Sequence, residues 1–228
     1  MTPDRVDAAA EYPPELSRLP PGRHGLPRDF VIHNQRERLI AGLVESIAEG
    51  GYDGTTIADV TRHAAVSRRT FYEHFEGKDE CFVAAFDAVV AQLRERVDEA
   101  YRAEDDWVAA LDAALGAMLL FLAAEPNMAR LALVEALVAG PLVVERYDAP
   151  AQTFLPYLQA GREGRPKAVL DHLSDSTEEA LAGGMVSLIS RRILAGHGEE
   201  LESLRPDLVE FTLAPYVGSD EAARLAHG

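Results

Sequence analysis

The chain has 228 residues, of which 47% are hydrophobic and 26% charged, a balance typical of a globular protein with one large domain or two small ones. Its single cysteine, Cys81, excludes an internal disulfide framework, and the neighbours Phe82 and Val83 favour a small buried side chain over a nucleophile. The formal net charge of −16 by itself argues against a protein that binds nucleic acid.

Residues 1–28 contain six prolines and few large apolar side chains, which predicts a flexible N-terminal arm. The arm carries acids and has no apolar core segment, so we expect no signal peptide and a cytoplasmic protein. Arg23, His24 and Arg28 could enter a DNA minor groove, as arms of some DNA-binding proteins do. The alternative is a tail that touches no DNA.

After the arm, one amphipathic helix is predicted within residues 29–80. Its apolar positions recur at helical spacing: Leu39, Ile40, Leu43, Val44 and Ile47. Gly50 and Gly51 are expected to end it, as glycine usually does past a last helical turn.

Two short helices should follow, joined by a very tight turn. Thr55 or Thr56 can cap the first helix, and the Ser67 hydroxyl can cap the second. Only Ala65 and Val66 separate the two helices, which is the signature of a helix-turn-helix.

The second short helix is predicted to have two different faces. Phe71 and Phe75 lie four residues apart and should pack inward, while Arg68, Arg69 and Tyr72 occupy a neighbouring outward arc. Arginine matches guanine in the major groove, although exposed arginine pairs are commonly just solvated. Residues 62–78 hold four cations against two acids, and most of the negative charge lies beyond residue 80.

Residues 81–228 are predicted to be entirely helical, with no strand alternation and no repeat. After a helix that begins near Lys78, we expect helices near residues 106–124, 126–139, 141–161, 176–195 and 199–216. The longest uncharged apolar run, residues 113–124, is shorter than the roughly 18 residues that span a bilayer, which indicates a buried helix and no membrane contact.

The helix-turn-helix segment closely resembles the DNA-binding segment of the tetracycline-repressor (TetR/AcrR) family of bacterial transcription regulators. The matching residues are Thr56, Ile57-Ala58, Ala65-Val66-Ser67, Thr70 through Phe75, and Lys78-Asp79, within about residues 35–90. Two positions depart from the family pattern, because Ala65 and Arg69 stand where glycine is common.

The resemblance implies an all-α fold with an N-terminal three-helix helix-turn-helix domain, residues 29–80, and a C-terminal helical ligand-binding and dimerisation domain, residues 81–228. By position, the candidates for base contacts are Arg68, Arg69 and Thr70. The candidates for phosphate contacts are Thr56, Ser67, Tyr72, His74 and Lys78.

Large side chains on helices that line the family's cavity are candidates for a ligand pocket: Trp107, Met118, Phe121, Leu122, Phe154 and Tyr157. Helical stripes near the C-terminus are candidates for a dimer interface: Gly183, Gly184, Met185, Leu188, Ile189, Leu208 and Phe211. Ordinary packing within one subunit explains either set equally well.

The implied function is a ligand-responsive regulator, a repressor, that binds a palindromic operator in double-stranded DNA as a homodimer. Its effector would be a small molecule, with no cofactor. The alternative is a helical small-molecule-binding or scaffolding protein with a purely structural helix-turn-helix. We expect no enzyme, since no Gly-rich phosphate loop or nucleophile elbow occurs, and no metal site, since His63 and His74 lack ligand spacing.

Overall fold

The computed structural model describes residues 27–139 and 149–228, and every regular element in those ranges is a helix. The predicted all-α fold is therefore confirmed. Most of the predicted arm and the first part of the helix predicted at 141–161 lie outside the described residues.

Three helices form the N-terminal domain: α1 (Arg28–Gly54), α2 (Ile57–Ala64) and α3 (Arg68–His74). Arg28, which we assigned to the arm, is the first residue of α1. The expected stop at the glycines is a sharp break inside this element, because Gly51 has φ 68° and ψ 174°.

Helices α1 and α2 cross at very short distance at Gly42. A Cβ atom at this position would lie 2.7 Å from the Val60 carbonyl oxygen and 2.8 Å from the Ala64 amide nitrogen. Only glycine lets the two backbones approach this closely. The crossing buries Leu39 and Leu43 of α1 and holds α2 in place for α3.

The remaining helices pack behind this domain on one continuous hydrophobic core. They are α4 (Lys78–Arg102), α5 (Trp107–Ala124), α6 (Pro126–Leu133), α7 (Ala149–Gln159), α8 (Lys167–Leu170), α9 (Thr177–Leu194), α10 (Arg205–Val217) and α11 (Ser219–His227). Short 3₁₀ turns follow α6 (Glu135–Leu137), α7 (Ala160–Arg162) and α9 (Gly198–Leu204).

Four of these elements differ from the sequence prediction. Helix α10 begins at Arg205, after the predicted residue 199, because residues 198–204 form a 3₁₀ turn. Helix α6 ends at Leu133, before the predicted residue 139, because the chain turns Glu135 inward. Helices α8 and α11 were not predicted, since α8 has four residues and α11 follows Gly218 with a mostly polar sequence. The local sequence pattern gives little indication of either of these two helices.

Among the described residues, one helix, α5, is apolar and long enough to cross a membrane by composition alone, with a mean hydropathy of 2.0 over 18 residues. Eight of its side chains are buried within the protein, where α5 packs against α4 and α10. Its position is that of the core helix we predicted from residues 113–124.

Candidate nucleic-acid interface and apolar cavity

Both short helices of the N-terminal domain begin with a hydroxyl cap. The Thr56 hydroxyl accepts a hydrogen bond from the Asp59 amide at 3.3 Å, and the Asp59 carboxylate accepts one from the Thr56 amide at 3.1 Å. The Ser67 hydroxyl accepts from the Thr70 amide at 3.0 Å. These bonds satisfy backbone groups that the helix leaves unpaired, so both predicted caps form.

The turn between α2 and α3 is held by a residue that the sequence pattern did not reveal. Ala65 closes α2 in a left-handed conformation, with φ 50° and ψ 45°. The Arg38 guanidinium donates to the Ala64 carbonyl and, at 3.0 Å, to the Ala65 carbonyl. Arg38 lies 26 residues before Ala64, so only the folded chain brings them together.

Helix α3 has the two predicted faces. Phe71 and Phe75 are buried, with ring centroids 5.8 Å apart, and Tyr72 is 59% exposed. Arg68 is exposed, and no described residue forms an ion pair with it. Arg69 is 89% exposed and its Nε lies 3.0 Å from Glu73 Oε1.

Two candidates for phosphate contacts already have partners within the protein. The Lys78 ammonium donates to the Tyr52 carbonyl at 2.7 Å and to the Thr55 carbonyl at 3.1 Å. His74 Nε2 lies 3.3 Å from Gln35 Oε1, and burial lowers the pKa of His74. The structure thus gives both side chains a role in packing α3 and α4 against α1.

Cys81 lies beneath this domain, where burial raises the pKa of its thiol to about 12. A thiol with so high a pKa is a poor nucleophile, as the sequence analysis expected. In the described ranges, no group of three His, Cys, Asp or Glu side chains could hold a metal ion.

A small cavity of about 20 Å³ lies in the C-terminal half, and the described side chains that line it are all apolar. They are Leu93, Met118, Leu122, Leu133, Ala151, Phe154, Ala182, Met185, Val186 and Ile189. Such a cavity has room for about one water molecule but offers it no polar partner.

Only three of the six predicted pocket residues, Met118, Leu122 and Phe154, line this cavity. The other three predictions are wrong for this cavity, because the side chains have other partners. Trp107 Nε1 donates to the Tyr157 carbonyl at 2.8 Å, and the Tyr157 hydroxyl donates to the Asp98 carboxylate. The Phe121 ring lies 5.0 Å from the Arg96 guanidinium.

The predicted dimer stripe divides into buried and accessible residues. Met185 and Ile189 face the cavity and Leu208 is buried in the core, so these three lie away from the accessible surface of the chain. Gly183 is exposed, Leu188 is partly exposed, and Phe211 is 44% exposed with its ring against Gly184. Periodicity alone did not tell which side of α9 faces inward.

Residues 39–85 match the family model for bacterial regulatory proteins of the tetR family. The fatty acid metabolism regulator protein of Bacillus subtilis (strain 168) is 31% identical over 62 residues, which cover 27% of this chain and 32% of that protein. The match thus spans about a third of that relative.

Three solved structures share the fold over most of the chain. FadR from Bacillus subtilis, a transcriptional regulator in complex with stearoyl-CoA, has a TM-score of 0.62 at 17% identity, covering 80% of this chain and 98% of that one. The fatty acid degradation regulator FadR from Bacillus halodurans has a TM-score of 0.67 at 16% identity, covering 81% and 95%. A tetR-family regulatory protein from Rhodococcus RHA1 has a TM-score of 0.61 at 18% identity, covering 80% and 96%.

At these identities the structural likeness shows a common fold, and the sequence match is concentrated in α1–α4, where the helix-turn-helix lies. Residues 39–85 thus match the family model for bacterial regulatory proteins of the tetR family, and most of the chain shares the fold of solved regulators.

Proposed function

We propose that this protein is a ligand-responsive, DNA-binding transcriptional repressor that acts as a homodimer in the cytoplasm. The observation that carries the proposal is the outward arc of α3, where Arg68, Arg69 and Tyr72 are exposed over the buried Phe71 and Phe75. An α-helix with donors on its outer face and N-terminus fits the major groove.

Arg68 is the foremost candidate for a base contact, because it stands at the first position of α3 and has no ion-pair partner among the described residues. Its planar fork can donate to both O6 and N7 of one guanine. Arg69 must first leave Glu73, which costs little because an exposed pair at this spacing contributes only about 0.3–0.5 kcal/mol.

The phosphate contacts are proposed for Thr56, Ser67 and Tyr72, which all present a hydroxyl at the exposed edge of the helix pair. The unpaired amides at the start of α3 add donors for a phosphate. His74 and Lys78 are weaker candidates, because contact with DNA would compete with their bonds to α1.

The decisive experiment is selection from random DNA duplexes, followed by anisotropy titration of the enriched site. We expect a palindrome, because a two-fold dimer presents two equivalent copies of α3. Arg68→Ala should weaken the selected site by about 1–3 kcal/mol and relax one base position in each half-site. Arg94→Ala, on the exposed side of α4, is the matched control and should leave binding unchanged.

Failure to enrich any palindrome would refute the proposal and favour a binding or scaffolding protein with a purely structural helix-turn-helix. Equal losses on selected and random DNA for Arg68→Ala would refute its base contact alone. A reporter gene with the selected site in its promoter then tests repression. For a repressor, expression of the reporter rises when the gene for this protein is deleted.

For the effector, we infer an apolar molecule, with a long acyl chain as the first candidate. Every described side chain that lines the cavity is apolar, and the similar FadR structure from Bacillus subtilis contains stearoyl-CoA. Binding sites for small molecules usually measure roughly 300–1,000 Å³, so the walls must separate to admit a ligand. A ligand that needs separated helices shifts the protein towards that form.

Stearoyl-CoA is the probe, with coenzyme A as the control that lacks the acyl chain. We expect stearoyl-CoA to raise the melting temperature and release the selected DNA. Ala182→Leu fills the cavity and should abolish both effects, whereas Ala180→Leu, exposed on the same helix, should preserve them. Undiminished binding to Ala182→Leu would place the acyl chain elsewhere.

The homodimer is proposed to form through the exposed side of α9 and α10. Gly183, Leu188 and Phe211 lie there, together with Leu194, which is 63% exposed. Apolar side chains and a glycine on one accessible face allow a second pair of helices to pack closely.

A further inference from the structure

A buried carboxylate joins the C-terminal helices to the helix-turn-helix domain. Glu135, in the turn after α6, is 5% exposed, and its Oε2 accepts a hydrogen bond from the Tyr52 amide at 2.9 Å. Its Oε1 lies 3.0 Å from Arg130 Nε and 2.8 Å from Nη2. A buried carboxylate needs such partners, so its position is narrowly determined.

The Tyr52 amide needs this acceptor because α1 is broken one residue earlier. At Gly51 the backbone has φ 68° and ψ 174°, which interrupts the helical hydrogen-bond pattern. A Cβ at Gly51 would lie only 3.5 Å from Glu135 Oε2, so the carboxylate sits directly over the break. The break and the carboxylate together determine the direction in which the chain leaves α1.

The segment after the break positions α2. The Tyr52 and Thr55 carbonyls both accept from the Lys78 ammonium, and Thr56 caps α2. The Tyr52 ring packs edge-on against Phe82 with centroids 5.2 Å apart. Because only the three residues 65–67 join α2 and α3, a displacement of the Tyr52 peptide that moves α2 is passed on to α3.

On its other side, the chain segment that contains Glu135 reaches the wall of the cavity. Leu133 lines the cavity, and the Ser190 hydroxyl lies 3.0 Å from its carbonyl oxygen and 2.7 Å from that of Val186, so the two carbonyls share one donor. Ile189, next to Ser190 on α9, lines the cavity too. Only Val134 therefore separates the cavity wall from Glu135 along the chain.

We propose that Glu135 is the positioning residue through which the cavity wall holds α2 and α3 in place. Expansion of the cavity displaces the end of α6, draws the carboxylate away from the Tyr52 amide, and frees the segment that begins α2. The consequence for DNA binding rests on the proposed function, whereas the positioning itself does not.

The test is amide hydrogen exchange on the full chain, for wild type, Glu135→Ala and Glu135→Gln. We expect Glu135→Ala to speed exchange at Tyr52 and through α2 and α3 by about tenfold or more, with α5 unchanged. Glu135→Gln keeps an oxygen acceptor for the Tyr52 amide and should restore part of the protection. Glu125→Gln, exposed at the start of α6, is the matched control and should match wild type.

Faster exchange at Tyr52 alone, or an equal increase in α5, would overturn the proposal, because the carboxylate would then act only locally or as general core support. Ser190→Ala tests the cavity side: we expect faster exchange at Tyr52, and an unchanged rate would remove the link to the cavity wall.

Affinity for the selected DNA is measured on the same variants, and Glu135→Ala should lower it by about tenfold. If wild type selects no DNA, the proposed function fails while the exchange data still decide the role of Glu135. If wild type binds DNA and Glu135→Ala binds equally well, the positioning role is refuted and the function stands.

Discussion

Ala65→Gly should stabilise this protein, although glycine substitutions usually destabilise. Ala65 is the one non-glycine residue with a positive φ among the described residues, at φ 50° and ψ 45°. It is exposed at the end of α2, so removal of its methyl group leaves no cavity. Glycine adopts this conformation without the clash between Cβ and the backbone.

Two opposing terms determine the size of the effect. The left-handed conformation costs an L-residue about 1–2 kcal/mol, which glycine avoids. Glycine also increases the conformational entropy of the unfolded chain, which destabilises by about 0.4–1 kcal/mol. The difference is a gain of about 0.5–1 kcal/mol in the free energy of unfolding, or a rise of about 2 °C in Tm for a chain of this size.

Urea denaturation followed by circular dichroism measures this difference directly. Ala91→Gly makes the same chemical change at an exposed position in the middle of α4, where it should destabilise by about 1 kcal/mol. We therefore expect the free energy of unfolding to rise for Ala65→Gly and to fall for Ala91→Gly. A loss of stability for Ala65→Gly similar to that of Ala91→Gly would refute the left-handed turn, and with it the geometry that sets α3 against α2.

Three further predictions concern residues with more than one conceivable role. Lys78→Met should lower the free energy of unfolding by about 1–3 kcal/mol, because two carbonyls lose their charged donor, and an unchanged urea midpoint would contradict those bonds. Burial lowers the pKa of His74, so as the pH falls the unfolded chain takes up a proton at this site before the folded chain does. The free energy of unfolding should therefore decrease as the pH is lowered from about 7 to 5. His74→Gln should flatten that part of the pH profile, and an identical profile would exclude His74 as its cause. Phe211→Asp should give a monomer in analytical ultracentrifugation, whereas Leu120→Asp, at an exposed position on α5, should keep the dimer. A dimeric Phe211→Asp would exclude the proposed face.

Much of the helix-turn-helix could be predicted because its determinants are local. Thr56 and Ser67 cap helices by bonding to amides three residues ahead, and Phe71 and Phe75 share a face because they are four residues apart. The same reasoning predicted α5 and α9 to within one or two residues. The base and phosphate contacts stay predictions until a complex with DNA is studied.

The cavity and the dimer face were harder to predict, because helical spacing defines a stripe but not what the stripe faces. Met185 and Ile189 fit a dimer stripe in sequence, but the way α9 packs turns them into the cavity. Trp107 looked suitable for a pocket, but its indole bonds to the Tyr157 carbonyl fifty residues away. Size and polarity could not distinguish these roles.

The sequence by itself therefore determined the all-α class, the two caps, the buried aromatic pair and the outward arginines of α3, since each depends on residues within one or two helical turns. The tertiary structure alone decided that Arg38 closes the turn, that Lys78 and His74 bond to α1, and that Glu135 meets the Tyr52 amide. These contacts join residues between 23 and 83 positions apart. Their geometry exists only once the helices have packed, because no local pattern encodes which distant carbonyl or amide a buried polar side chain will find.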